Sequence, residues 1–162
     1  MKKSLLGFVL VFGIIVSQSA TATAQRSVVG YWKTSGLGMI NEVNTVTGQT
    51  KNNRGKMFSY TFAADGTYTF VGYMESTMFG CTTSLFNEIN GRYLVDGTTI
   101  FLNPSRDFWK NTYSCFPNSN RSQTKAPTKK SLEFGFKTDE YGKDFICLND
   151  AGAETCYRHE TE

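Results

Sequence analysis

The chain has 162 residues, 40% hydrophobic, 14% aromatic and 19% charged, the composition of one globular domain. Fifteen glycines with only three prolines argue against collagen-like and low-complexity chains, and 13 Phe with 8 Tyr argue against disorder. The formal charge is +3, but Lys2 and Lys3 sit in a leader-like segment, and without them the chain is close to neutral. That balance offers no electrostatic footprint for nucleic acid or for an anionic membrane as partner.

Met1-Lys2-Lys3 gives a positive start, the stretch from Leu5 to Val16 is almost wholly apolar, and Ala22-Thr23-Ala24 forms a small-x-small cleavage pattern. These parts in this order predict a secretory signal peptide over 1–24, with a single domain over 25–162. An apolar run of about 12 residues falls short of the roughly 20 that a spanning helix needs, so no membrane span is expected. The compact Lys-Lys start points to a bacterial protein of the periplasm or the medium.

From residue 28 onward the signal is period-two alternation broken by Gly and Asp turns, the mark of an antiparallel sheet. Val28-Val29-Gly30-Tyr31-Trp32-Lys33-Thr34 opens it. Phe58, Tyr60 and Phe62 alternate with small polar residues, then Asp65-Gly66 turns into Tyr68-Thr69-Phe70-Val71-Gly72-Tyr73. Residues 83–90 are expected to form a helical turn or a short crossover. Arg92-Tyr93-Leu94-Val95, Asp96-Gly97 and Thr99-Ile100-Phe101-Leu102 spell a second hairpin, and Ser131-Leu132-Glu133-Phe134-Gly135-Phe136 alternates again. Residues 144–148 and 154–158 form the closing hairpin around Asp150-Ala151-Gly152. About eight strands result. Consecutive hairpins predict an all-β, antiparallel up-and-down β-barrel, whose closure removes exposed sheet edges; a two-sheet β-sandwich is the alternative with the same strand count.

Four cysteines in an oxidising compartment imply two disulfides. Cys147 and Cys156 face each other across the closing hairpin, and Cys81–Cys115 follows by elimination. Zinc is the rival use, but no CxxC pair is present and the sole histidine is His159. Two long connections remain, 36–56 and 117–130. The second carries Arg121, Lys125, Lys129 and Lys130 without an acid, as a solvated excursion or as a positive lid over a barrel mouth.

Gly30-Tyr31-Trp32 resembles the G-x-W of the first strand in lipocalins and related barrels of the calycin superfamily. The run from Tyr60 to Phe70 resembles the second and third strands of small secreted bacterial lipocalin-like domains, and the pattern spans 28–158. The T-D-Y motif of lipocalins is approximated, with one residue inserted, by Thr138-Asp139-Glu140-Tyr141. The resemblance implies that Gly30 and Trp32 close one barrel end and that Arg158 packs on the indole as the basic partner.

No HExxH, P-loop, dinucleotide fingerprint or paired CxxC is present, and the acids Asp65, Asp96, Asp139 and Asp150 sit in turns. His159 lies three residues from the end and reads as an exposed tail residue, with haem or metal ligation as the rival. No enzyme activity and no cofactor are expected. The expected function is binding of a small hydrophobic molecule inside the barrel, lined by Phe58, Tyr60, Phe62, Tyr68, Phe70, Phe134, Phe136 and Phe145, unless these aromatics fill a solid core. Trp109 reads as rim, exterior or core. The alternative function is a protein-binding barrel, of the protease-inhibitor or immunity type, that works through its long loops with a packed interior.

Overall fold

Alternating aromatic and aliphatic residues, interrupted by short glycine turns, build a sheet that is apolar on one face and closes around it. The computed structural model describes residues 26–34, 41–43, 50–52 and 54–160. The leader expected over 1–24 lies outside these residues, as does most of the first long connection. The strands are β1 (Gly30–Lys33), β2 (Asn41–Val43), β3 (Thr50–Asn52), β4 (Arg54–Phe62), β5 (Thr67–Met78), β6 (Cys81–Asp96) and β7 (Thr99–Tyr113). After a 3-10 turn at Pro117–Ser119 come β8 (Arg121–Lys125), β9 (Lys130–Thr138), β10 (Asp144–Asp150) and β11 (Ala153–Glu160).

Pairing runs β1-β4-β5-β6-β7-β9-β10-β11 and returns to β1, antiparallel at every step. This is an eight-stranded up-and-down barrel, and the sandwich is set aside because a single sheet closes on itself. β2 and β3 form a separate two-stranded ribbon.

Two expected connections turn out to be strand. Residues 83–90 belong to the middle of β6, because both neighbours, β5 and β7, offer a full ladder there. Within 117–130, β8 pairs with β7 over Asp107–Asn111, although all five of its residues are exposed and none is apolar. β9 takes the same edge of β7 lower down, over Thr99–Leu102.

The inner face of the ring holds Trp32, Phe62, Tyr68, Ile100, Leu102, Leu132, Ile146, Leu148 and Tyr157, all buried. Ile100 and Ile146 are 0% exposed, and each contributes about 1.5–3 kcal/mol by leaving water. The barrel bends at a bulge where Asn90 pairs with Arg106 but Gly91 pairs with Pro104, leaving Ser105 as the extra residue. Pro104 is tolerated there because the ladder is already interrupted. Gly91 is required by proximity: a Cβ would sit 2.4 Å from the Asn103 carbonyl oxygen and 2.5 Å from the Pro104 Cα.

Both disulfides are present, Cys81–Cys115 and Cys147–Cys156. The second joins directly paired residues of β10 and β11, as the hairpin reading requires. The first fastens the start of β6 to the chain just past β7. Beside it, the β5–β6 turn places Phe79 and Gly80 at φ +50° and +78°. Phe79 is 98% exposed, and Met78 and Phe116 are exposed as well. A phenylalanine in left-handed conformation costs about 1–2 kcal/mol, which packing does not return at this exposure.

Candidate ligand-binding cavity

One end of the barrel is closed by Trp32. Its indole N–H donates to the Val28 carbonyl at 2.8 Å, and its ring lies 4.6 Å from that of His159 and 5.9 Å from that of Phe136. The basic partner on Trp32 is therefore His159. Arg158 sits opposite Lys33 and Phe145, on the outer face, where it pairs with Glu160. The reason is the period of two along β11: Tyr157 and His159 point inward, so Arg158 cannot. His159 is likewise no frayed tail residue. It is half-buried in the last strand, directly opposite Trp32, and lies so close to Gly30 that a Cβ there would come within 2.6 Å of its Nε2.

The other end is open. A cavity of about 370 Å³ lies inside it, walled by Tyr60 of β4, Tyr68 and Phe70 of β5, and Asn87 and Ile89 of β6. Leu102, Pro104, Asp107 and Trp109 of β7 complete the wall, with Thr128 and Lys130 at the mouth. These residues share the inner face by register: Phe70 pairs with Ile89, Ile89 with Asp107, and Asn87 with Trp109. A wider hollow of about 600 Å³ lies beside the exposed pair Leu94 and Phe101, but it is shallow and open to solvent.

The polar groups of the enclosed cavity are few. Asn87 Nδ2 donates to Asp107 Oδ1 at 2.8 Å and to the Phe108 carbonyl at 3.1 Å. Among the described residues, Trp109 Nε1 is the buried side-chain nitrogen without a hydrogen-bond partner. Lys125 places its Nζ 4.0 Å above the Trp109 ring, a cation–π contact. Lys130 is held at the mouth by Asp150 at 2.6 Å. Burial pushes the Tyr68 phenol up to about 12, with Asp107 adding to the rise. Burial also pushes Tyr157 up to about 12 and raises Tyr60 further, with the neighbouring phenols and Asp150 adding to the rise at Tyr60. All three hydroxyls stay protonated at ordinary pH, as hydrogen-bond donors beside an apolar wall.

Of the eight aromatics expected to line the interior, seven face inward. Tyr60, Tyr68 and Phe70 border the cavity, while Phe58, Phe62, Phe134 and Phe136 pack into the core around it. Phe145 does not belong to the set: it pairs with Arg158 and Lys137 on the outer face, and its neighbour Ile146 takes the inner position. The four basic residues of 117–130 separate. Lys130 borders the cavity, Lys125 covers Trp109, Lys129 is exposed, and Arg121 donates to the Asn118 and Asn120 carbonyls.

Asn87, Ile89 and Asp107 are lining residues that the sequence reading passed over. They occupy every second position of their strands, 87 with 89 and 107 with Trp109, a spacing that could have flagged them. Cys147, Glu154 and Cys156 gather potential metal ligands, but the two sulfurs are joined to each other and Glu154 holds Lys137 at 2.8 Å. Comparison with family models, with curated proteins and with solved structures finds no match.

Proposed function

We propose that this chain is a non-catalytic binding protein that holds one small, largely apolar molecule in the open half of the barrel. The observation that carries the reading is the cavity of about 370 Å³, walled mostly by apolar and aromatic side chains. Close-packed interiors rarely keep such space. The volume lies in the range of about 300–1,000 Å³ typical of small-molecule sites. A bound molecule would gain affinity from Phe70, Ile89, Leu102 and the Trp109 ring, and orientation from Tyr60 and Tyr68.

The same reading places the protein outside the cytoplasm. Two disulfides fit an oxidising compartment, and among the described residues no helix is long and apolar enough to cross a membrane. A lipocalin-like relationship remains part of the proposal, supported by the eight-stranded up-and-down topology and by Trp32 at the closed end.

The test is native mass spectrometry of protein purified gently from the secreting host, followed by titration with the neutral apolar dye N-phenylnaphthylamine. A stoichiometric adduct that leaves on denaturation, or saturable dye binding lost on filling the cavity by Ile89→Trp, is the expected result. A bare mass together with no dye binding overturns the reading.

A second reading, a protein-binding barrel, is favoured by one observation. The tip formed by Met78, Phe79 and Phe116 exposes apolar side chains beside a disulfide, and Phe79 is held there in left-handed conformation. Phe79→Asn would leave dye binding intact and abolish capture of a partner if the tip is the contact.

A further inference from the structure

We infer that the β5–β6 tip is a membrane-docking wedge: Met78, Phe79 and Phe116 enter the surface of an anionic phospholipid bilayer while cations behind them meet the headgroups. The inference stands apart from the cavity and takes up the tip that the second reading gives to a protein partner.

Local chemistry singles out Phe79. Phe79 and Gly80 form the two-residue turn of the β5–β6 hairpin, both at positive φ, with Met78 paired to Cys81. Asn-Gly is the pair that such a turn prefers, so phenylalanine is the poorer choice for the backbone. Its ring is not used for packing either, since Phe79 is 98% exposed and Phe116 and Met78 are more than half exposed. The Cys81–Cys115 bridge holds Phe116 at the same end, and a Cβ on Gly80 would meet nothing within 4 Å. The tip is convex, stapled and apolar.

The charges behind it are arranged to match. No charged residue occurs in 76–87 or in 111–120, the stretches that build the tip. Behind them stand Lys56, Lys110 and Arg121, all exposed and, among the described residues, none of them in an ion pair. Lys56 pairs with Met74, Lys110 with Phe86, and Arg121 with Asn111, which itself pairs with Leu85. At about 3.3 Å per residue, these positions lie about 13–17 Å back from the turn. Glu75 is the acid beside them, and it accepts from the Tyr73 hydroxyl. Farther back the charges cancel, because Glu88 holds Arg106 at 2.7 Å and Asp107 lies opposite Lys125. A chain that is near neutral as a whole therefore carries a local positive excess at this end.

A lipid surface fits this arrangement better than a protein does. Interfacial elements bury their apolar side about 5–10 Å deep, which takes in the uncharged cap and leaves the cations within about a Debye length of the phosphates. A stable protein contact covers about 800 Å² of each partner and is rimmed by hydrogen bonds, more than three side chains on a convex point supply.

The experiment is flotation of the purified protein with vesicles of phosphatidylcholine, alone or with about one-third phosphatidylglycerol, at low and at high salt. Binding to the anionic vesicles is expected, about tenfold weaker on the neutral ones and weaker again at high salt. Phe79→Asn should weaken it about tenfold or more, as loss of one buried aromatic side chain requires. Asn suits the turn, so this variant should unfold at equal or higher denaturant, which separates lost docking from lost folding. Lys56→Gln with Lys110→Gln should narrow the preference for anionic vesicles. Phe79→Trp supplies a second readout, a blue shift of its emission on adding the anionic vesicles. No flotation with anionic vesicles, equal flotation with both kinds, binding that Phe79→Asn leaves unchanged, or no blue shift in Phe79→Trp overturns the inference. Retention of a protein by the tip without flotation also overturns it and gives the tip to the second reading. Dye binding in the cavity is independent of every one of these outcomes.

Discussion

The inward-facing tyrosines make a quantitative prediction about alkaline stability. Tyr68 and Tyr157 are 3% and 7% exposed, and burial holds both phenols at about 12 against an ordinary 10.0. In the unfolded chain each gives up its proton near 10.0; in the folded chain each keeps it to about 12. Folding therefore retains protons that the unfolded state releases, so stability is complete below pH 10 and falls as pH rises toward the folded value. Worked from these two values, the loss by about pH 11 is about 1.4 kcal/mol for each tyrosine. Tyr60, raised still further, adds in the same direction. The assay is denaturant unfolding at about pH 9 and about pH 11, with phenolate absorbance recorded alongside, for the unaltered protein and for Tyr157→Phe. The variant lacks one ionising group, so its loss between the two pH values should be smaller by about 1.4 kcal/mol. Equal losses in the two proteins would mean that Tyr157 titrates as in open water, and the inward packing of β11 would be refuted.

Three further outcomes follow from the fold. Gly91→Ala sets a Cβ 2.4 Å from a backbone oxygen at the bulge, so thermal unfolding should show a loss of about 1–3 kcal/mol, and a neutral result would mean the bulge relaxes freely. Non-reducing peptide mapping should recover Cys81 with Cys115 and Cys147 with Cys156. Across sequence separations of 34 and 9, loop-closure entropy predicts losses of about 4 and about 3 kcal/mol on removing each, so the Cys81–Cys115 deletion should unfold at lower denaturant. His159→Ala should change the fluorescence of Trp32, whose ring it approaches to 4.6 Å, whereas Arg158→Ala should leave it unaltered; the reverse would reinstate Arg158 as the closing residue.

The architecture was legible in the sequence because hairpin grammar is local. Asp65 shows it: its carboxylate accepts from the Thr67 backbone N–H at 2.9 Å and from the Thr67 hydroxyl at 2.6 Å, fixing the turn before any distant strand arrives. The direction of each strand face was less legible, because several strands carry apolar residues on both sides. Phe145 and Ile146 are adjacent and both apolar, and only the pairing of Ile146 with Phe136 and Tyr157 decides which one enters the core. Arg158 and His159 pose the same question at the closed end, where a basic residue on either face could have answered the motif. β8 was hidden for another reason. Arg121-Ser122-Gln123-Thr124-Lys125 has no apolar alternation to detect, and it is a strand because β7 runs past β9 with an unpaired edge to cover. Asp107 shares the spacing of Trp109, but a carboxylate beside Phe108 and Trp109 looks like surface until its pairing with Ile89 sets its face.

That shared edge of β7 has a kinetic consequence. Where β7 passes from β9 to β8, the residues between Leu102 and Asp107 have no described ladder partner on that side, and the wall of the cavity has a seam. β8 is exposed along its whole length and takes no part in the closed ring, so it can unzip from Asp107–Asn111 while all eight ring strands stay paired. Local opening of this kind draws on the low end of the stability range, well below global unfolding. Amide hydrogens of β8 should accordingly exchange long before those that bind β9 to β10, so this wall of the barrel loosens locally while the ring itself stays closed.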